Sequence, residues 1–454
     1  MSRGIVMPLR FGHTLLVHSL GLAIALLGGT AEALAEDASS ILLKEGDLIT
    51  FDKAGSLRPF LPEELWSNRQ FFFYEGMKLE VGPSHRDYSP SAPYKAKSKE
   101  FLGKPKVGPG STLEGFQAGQ AFPMDQIDCK NDPDAGAKVM WSYATRWSGD
   151  GGSLSFHYSY WDRGERLPLF YQGHAKAVLL AHRVEPQFWE KEKAGHLFRK
   201  NEKRSSALGA EVEMPPEYRG VMLLSFRYKD AAGPAFESTG IDTWVYVPTL
   251  RRVRRISGAQ RTDAIAGTDF SMEDANSFDG VIPEFEWDCL GEMDLLAPVN
   301  SIVKAYPFVE EHNFGPFGLS FADDRWELRH AIKVRFRPKD ETHPYSSKII
   351  YLDKQTLKTL YSFAYDSKGD LWKIIMHNGR WSEDDPDFYN PWPGVDVPRA
   401  LTSVGDIIVN VQTGSGNRIE FWDNHGTPFL NKRGEINRGK IRSYIDTGRL
   451  TKGH

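Results

Sequence analysis

Residues Asp242–Pro298 decide the fold: DTWVYVPTLRRVRRISGAQ (Asp242–Gln260), GTDFSMEDANSFDG (Gly267–Gly280) and FEWDCLGEMDLLAP (Phe285–Pro298). In the first part Trp244 and Tyr246 alternate with Val245 and Val247, a period of two that reads as a strand carrying apolar side chains on both faces. Such a strand suits a wall between a packed core and a cavity. Pro248 ends it, and Arg251, Arg252, Arg254 and Arg255 then gather positive charge around Val253. Asp269, Glu273 and Asp274 follow as sequence-local counter-charge, and Ser271 with Asp274 fits a capping box opening a short helix.

The same period recurs outside this segment. Leu154, Phe156, Tyr158 and Tyr160 alternate with Ser and His. Further strands are predicted at Val221–Tyr228, Thr243–Val247, Ala331–Phe336, Lys348–Leu352, Thr359–Tyr365, Leu371–Met376, Asp406–Gln412 and Arg418–Trp422. Turn residues separate them at Asp353–Gln355, Asp366–Asp370 and Gly414–Gly416. Together they describe an antiparallel meander, which can close as a sandwich or a barrel, or curl as a sheet over a helix. Pro62–Trp66 starts a short helix, Gln187–Arg204 is the strongest helix candidate, and Pro90–Pro109 reads as extended surface chain.

At the start of the chain, Arg3 and Arg10 precede an apolar run from Thr14 to Leu27, and Ala33-Leu34-Ala35 supplies small residues for cleavage. Residues 1–35 therefore read as a secretory signal peptide, with no cysteine near the cut to carry a lipid anchor. Residues 36–150 read as an irregular segment packed on a β domain at 151–454, with a single domain at 36–454 as the alternative. Nothing after the leader is long and apolar enough to span a bilayer. The formal charge of −4 gives no global electrostatic grip on nucleic acid. The expected location is the periplasm. Cys129 and Cys289 form either one disulfide or two buried thiols; a bond closing so long a loop contributes about 4–5 kcal/mol in the chain-entropy model.

Signatures of chemistry are missing from the sequence. There is no Gly-x-Ser-x-Gly elbow, no HExxH and no CxxC, and His157, His174, His182, His196, His330 and His377 are scattered. No catalytic residue, metal or cofactor is expected. The arginine run reads in two ways, as a charged strand end that discourages edge pairing, or as a polar rim that holds a carboxylate or phosphate head at a cavity mouth. The aromatic residues Trp244, Tyr246, Phe270, Phe278, Trp287, Tyr351, Tyr361, Phe363 and Tyr365 either line that cavity or fill a core. On the cavity reading the ligand-binding set is Trp244, Tyr246, Arg251, Arg252, Arg254, Arg255, Asp269, Phe270, Trp287, Tyr351, Tyr361 and Tyr365.

The Asp242–Pro298 segment resembles the bacterial periplasmic family numbered 1329 among domains of unknown function, itself similar to outer-membrane lipoprotein-sorting proteins of the LolA and LolB type. FFFYEGMKLEVGPSHRDY (Phe71–Tyr88), GQAFP (Gly119–Pro123) and DPDAGAKVMWSYATRW (Asp132–Trp147) carry the likeness in the same order. The resemblance implies a mainly β fold, a curved antiparallel sheet or incomplete barrel around an apolar cavity, with helical and loop elements as its lid. It further implies a carrier or accessory protein for a lipid, an acyl chain or a similar hydrophobe, working beside an RND-type exporter or an outer-membrane protein. A module that senses a protein partner through the same concave face is the alternative, and a hydrolase built from Asp and His groups distant in sequence is the third reading.

Overall fold

Alternating apolar and polar side chains build one large sheet, and the connections decide how each of its faces is covered. The computed structural model describes residues 43–452, apart from 192, 199–202, 229–239, 258, 304–312, 386–398, 426–428 and 430–434. The leader read at residues 1–35 lies outside the described residues. Residues from Lys44 onward cluster as one unit.

In chain order the early strands are β1 (Leu48–Ile49), β2 (Leu79–Val81), β3 (Lys106–Gly108), β4 (Thr112–Glu114), β5 (Gly151–Asp162), β6 (Glu165–Leu179), β7 (Arg204–Met214), β8 (Met222–Tyr228), β9 (Ile241–Val247) and β10 (Arg252–Ile256). They are followed by β11 (Phe285–Ala297), β12 (Arg325–Pro338), β13 (Tyr345–Asp353), β14 (Thr359–Asp366), β15 (Leu371–Trp381), β16 (Leu401–Asn410) and β17 (Ser415–His425). β3 and β4 pair apart; the rest lie in the order β1-β2-β12-β13-β14-β15-β16-β17-β5-β6-β7-β8-β9-β10, with β11 also on β12. Two meanders, β5–β10 and β12–β17, meet where β17 pairs antiparallel with β5 and Ile419 faces Tyr158. β2 joins β12 in parallel. The sheet is thus mixed and open, with β10 at one edge and β11 at the other.

The predicted strands are all present. Two other elements differ from expectation. Gln187–Arg204 is not a helix: its described residues begin with a 3-10 turn at Pro186–Phe188, and Arg204 already opens β7. Lys191, Ala194 and Gly195 take positive φ, which a right-handed helix excludes, so buried Phe188 and Leu197 act as loop anchors. Pro90–Pro109 holds a helix where extended chain was expected, over Ala92–Glu100. Its proline stands in the first turn, where no backbone N–H is needed, and Tyr94 and the following Phe101 anchor it in a cluster with Trp147 and Trp189. With α1 (Glu63–Ser67) before it, this is α2; α3 is Ala135–Ala144, α4 Arg438–Tyr444 and α5 Gly448–Lys452. Among the described residues no helix is long and apolar enough to cross a membrane.

α3 sets the geometry of one sheet face. Val139, Met140 and Tyr143 recur at helical spacing and pack into a core with Ile332, Val334, Phe336, Ile350 and Leu352 of β12 and β13. Its first turn, Ala135-Gly136-Ala137, is small, which lets the helix backbone approach β11. The disulfide Cys129–Cys289 joins the lead-in of α3 to the same strand, with a Cα–Cα separation of 4.9 Å. The opposite face of β7–β9 is covered by the C-terminal helices, where Ile441, Ile445 and Leu450 pack with Leu224 and Phe226.

A Cβ on Gly136 would stand 2.7 Å from the Trp287 carbonyl carbon. Gly→Ala inside a helix ordinarily stabilises by about 0.5–1 kcal/mol. Here Gly136→Ala is expected to lower stability by about 1–3 kcal/mol, because the helix must move off β11. Urea denaturation with the disulfide intact measures the sign, and an unchanged or raised midpoint would refute the close contact.

Candidate functional site

β10 and β11 lie at opposite edges, so residues 257–284 must cross the face of the sheet to connect them. This crossing is made of short 3-10 turns whose polar side chains bond to successive strands. Thr268 Oγ1 meets the Tyr158 hydroxyl of β5 at 2.5 Å, and Asp269 accepts from Asn410 and Ser415, each at 2.7 Å. Ser271 and Asp274 form the capping box read from sequence. Asp274 also accepts from Lys348 at 2.8 Å and Lys373 at 3.3 Å, and from the Tyr345 hydroxyl. Burial alone would raise its carboxyl, but the two ammonium groups and their hydrogen bonds hold it below the usual carboxylate range.

Ser277 Oγ lies 2.7 Å from His377 Nε2, and His377 Nδ1 lies 2.7 Å from Asp406 Oδ1. Hydroxyl, imidazole and carboxylate follow the order of a serine nucleophile. They are only 0%, 2% and 7% exposed, inside the packed layer, and burial depresses the His377 imidazole towards its neutral form. In this position the three groups fasten the loop to β15 and β16. The carbonyl of Asn276 accepts from Tyr143 of α3 and Thr359 of β14, which clamps the loop between helix and sheet.

Beside this clamp, past the last turn of α3, a cavity of about 690 Å³ opens between α3, the loop and the ends of β6–β9. Tyr94, Phe116, Trp141, Tyr143, Trp147, Tyr228 and Phe278 supply aromatic wall, and Leu179, Val184, Ile241, Val281 and Ile282 supply aliphatic wall. Its charged lining is mixed: Glu114, Arg146, Asp150, His182, Arg227 and Asp279. Arg227 is paired to Asp279, which also receives Arg261. Burial pushes the Asp150 carboxyl up to about 8, against the pull of Arg183. A volume in this range with aromatic walls and a few polar groups is the usual anatomy of a small-molecule site. Among the described residues no group of three or more His, Cys, Asp or Glu could hold a metal.

None of the residues read from sequence as ligand-binding lines this cavity. Trp244 and Tyr246 face the C-terminal helices, on the side of the sheet opposite to Arg227 and Ile241, because Trp244 registers with Leu224 and Ile241 with Arg227. Arg251, Arg252, Arg254 and Arg255 are exposed on the edge hairpin. The expectation that Asp269, Glu273 and Asp274 neutralise them is corrected by the structure. Arg255 pairs with Asp242 instead, and Glu273 bonds His343 at 2.9 Å, because the acidic turn has crossed to distant strands. Phe270 packs against Tyr158, and Trp287 lies in the core with Phe278 and Phe336. Tyr351 registers with Tyr361 on the face away from the loop, while Tyr365 donates to Glu64 of α1. The cavity residues that sequence reading missed, Trp141, Arg146 and Trp147, sit inside the quoted stretch Asp132–Trp147, where the family likeness was the available signal.

The family model described as protein of unknown function (DUF1329) matches residues 67–438, and the chain belongs to that family. An uncharacterized protein of Pseudomonas aeruginosa is 23% identical over 336 residues, covering 72% of this chain and 67% of the relative. A DUF1329 family protein from Desulfovibrio piger aligns at 17% identity and TM-score 0.44, covering 70% of this chain and all of that one. A candidate outer-membrane lipoprotein-sorting protein domain from Vibrio parahaemolyticus aligns at 16% identity and TM-score 0.44, covering 71% and 100%. A LolA superfamily protein from Nitrosomonas europaea aligns at 9% identity and TM-score 0.32, covering 62% and 88%.

Replacing Asp274 with Asn keeps the side-chain shape and leaves Lys348 and Lys373, 0% and 5% exposed, without their carboxylate. Stability is expected to fall by about 3–5 kcal/mol, the cost of an uncompensated buried charge. Equilibrium denaturation at neutral pH checks this; a loss below about 1 kcal/mol would show that the lysines do not depend on Asp274.

Proposed function

We propose that this protein is a carrier or accessory protein of the bacterial envelope that shelters a hydrophobic or amphipathic small molecule. The observation that carries the reading is the cavity of about 690 Å³ walled by aromatic side chains at the end of α3. Burying apolar ligand surface there gains about 25 cal/mol per Å², enough for useful affinity without a covalent step. The leader read at residues 1–35 supports a periplasmic location, and the resemblance drawn from sequence supports transfer to or from an exporter or outer-membrane protein.

Ala144 ends α3, is exposed and lines the cavity. Ala144→Trp therefore fills the space from a helix terminus without entering a core. Native mass spectrometry of protein purified from periplasm is expected to find a copurifying hydrophobe in the wild type and to lose most of it in Ala144→Trp, with thermal stability little changed. Equal occupancy in both proteins, or an empty wild type that also takes up no apolar dye, would defeat the carrier reading.

A further inference from the structure

Resting on that carrier reading, we propose that the ligand is an amphiphile with an anionic head, a carboxylate or a phosphate monoester, and that its head occupies a smaller basic chamber beside Arg146. This chamber measures about 230 Å³ and adjoins the aromatic cavity, with which it shares Tyr94, Arg146 and Trp147 as lining. Their charges differ. Among the described residues, the charged side chains lining the small chamber are Lys95, Arg146 and Arg399, with no carboxylate. In the large cavity the carboxylates of Glu114 and Asp279 stand among the bases.

Arg146 is held in place without being neutralised. Its guanidinium stacks 4.1 Å from the Tyr143 ring centroid and donates to the Tyr143 carbonyl at 2.7 Å. Among the described residues it has no carboxylate within ion-pair distance. Lys95 projects from the exposed side of α2 and likewise has no ion pair among the described residues. Arg399 pairs with Glu383 at 3.1 Å, and its carbonyl accepts the Trp147 indole N–H at 2.7 Å, which joins the two chamber walls. Behind the wall Lys358, next to the lining residue Leu357, donates to Ser403 at 2.7 Å. Burial pushes its ammonium down to about 8, although Asp406 opposes the shift. Asp87 and Asp353 lie nearby but are engaged, by Gln355 and Ser89 and by Arg329 and Thr356 respectively. Two cations with no ion pair among the described residues, Lys95 and Arg146, therefore line a chamber that adjoins the aromatic cavity at Tyr94, Arg146 and Trp147. Charge-assisted hydrogen bonds to a carboxylate or phosphate satisfy them, and a guanidinium fork suits either.

The test is displacement of the neutral dye N-phenyl-1-naphthylamine from the purified wild-type protein by laurate, dodecyl phosphate, dodecanol and free phosphate. Laurate and dodecyl phosphate are expected to compete at concentrations at least about tenfold below dodecanol, corresponding to about 1.4 kcal/mol. Free phosphate is expected not to displace the dye. Arg146→Gln should reduce the preference for laurate over dodecanol to within about threefold. Lys95→Gln, on an exposed helix face that is safe for folding, should reduce it in part. Dye uptake with equal competition by laurate and dodecanol overturns the anionic-head proposal and leaves the carrier reading standing. No dye uptake by folded wild-type protein defeats both. A preference that survives both substitutions places the anion elsewhere and also overturns the proposal.

Discussion

The structure depends on one topological constraint, that the chain leaves the sheet at β10 and re-enters it at the far edge as β11. Residues 257–284 must then lie across a buried face with little regular secondary structure. A long irregular connection in that position normally strands backbone N–H and C=O groups away from water. Here the cost is met by side chains that bond the backbone. Thr268 and Asp274 accept from the Phe270 and Ser271 N–H groups, while Tyr143, Thr359 and Trp287 donate to carbonyls of Asn276, Phe278 and Ile282. Further side-chain bonds pin the loop to the sheet. Thr268, Asp269, Ser271, Asp274 and Ser277 each find a partner on the strand below or in the loop itself, and Tyr143 and Thr359 take the Asn276 carbonyl from two sides.

This explains why the centre of the sheet face is polar although it is buried. Lys348 and Lys373 on β13 and β15 exist to meet Asp274, and His377 on β15 meets Ser277. Apolar side chains of equal volume could pack as well or better, since buried ion pairs seldom add net stability over a hydrophobic substitute. What the ions add is position: a loop without helix or strand pattern is held to one register by partners that only one placement satisfies. The same attachment sets the height of Phe278, Val281 and Ile282 above the sheet, which are walls of the cavity.

Strand identity was legible because it is written in local alternation, and the meander at Lys348–Trp422 came directly from it. The charged residues were not, because their partners are remote. Asp274 is close to Arg254 in sequence, but its partner Lys348 lies on β13 at the other end of the fold. Sequence proximity favoured a local ion pair, and sheet topology decided otherwise. Gln187–Arg204 failed for a related reason: its helix-forming composition says nothing of the positive-φ turns at Lys191, Ala194 and Gly195 that bring Phe188 and Leu197 inward. The Ser271–Asp274 capping box was readable because its groups are three residues apart.

The aromatic residues show where sequence reading of a site must stop. Trp244 and Tyr246 looked like cavity wall because their strand is apolar on both faces, yet the alternation cannot say which face meets helices and which meets open space. That is settled by the elements that cover each face, and α4 and α5 take the one that carries Trp244. The hollow forms instead where three separately packed clusters meet: one around α3 and β12 that contains Tyr143 and Phe278, one around α2 that contains Tyr94 and Trp147, and the one under the C-terminal helices that reaches Tyr228. Each cluster closes on its own strands, and the seam between them is left with aromatic surface in contact with solvent. A wall of that kind gains free energy whenever apolar surface replaces water against it. The fold therefore leaves a hollow where three cores pack against one crossed sheet, at a place set by topology more than by any single motif.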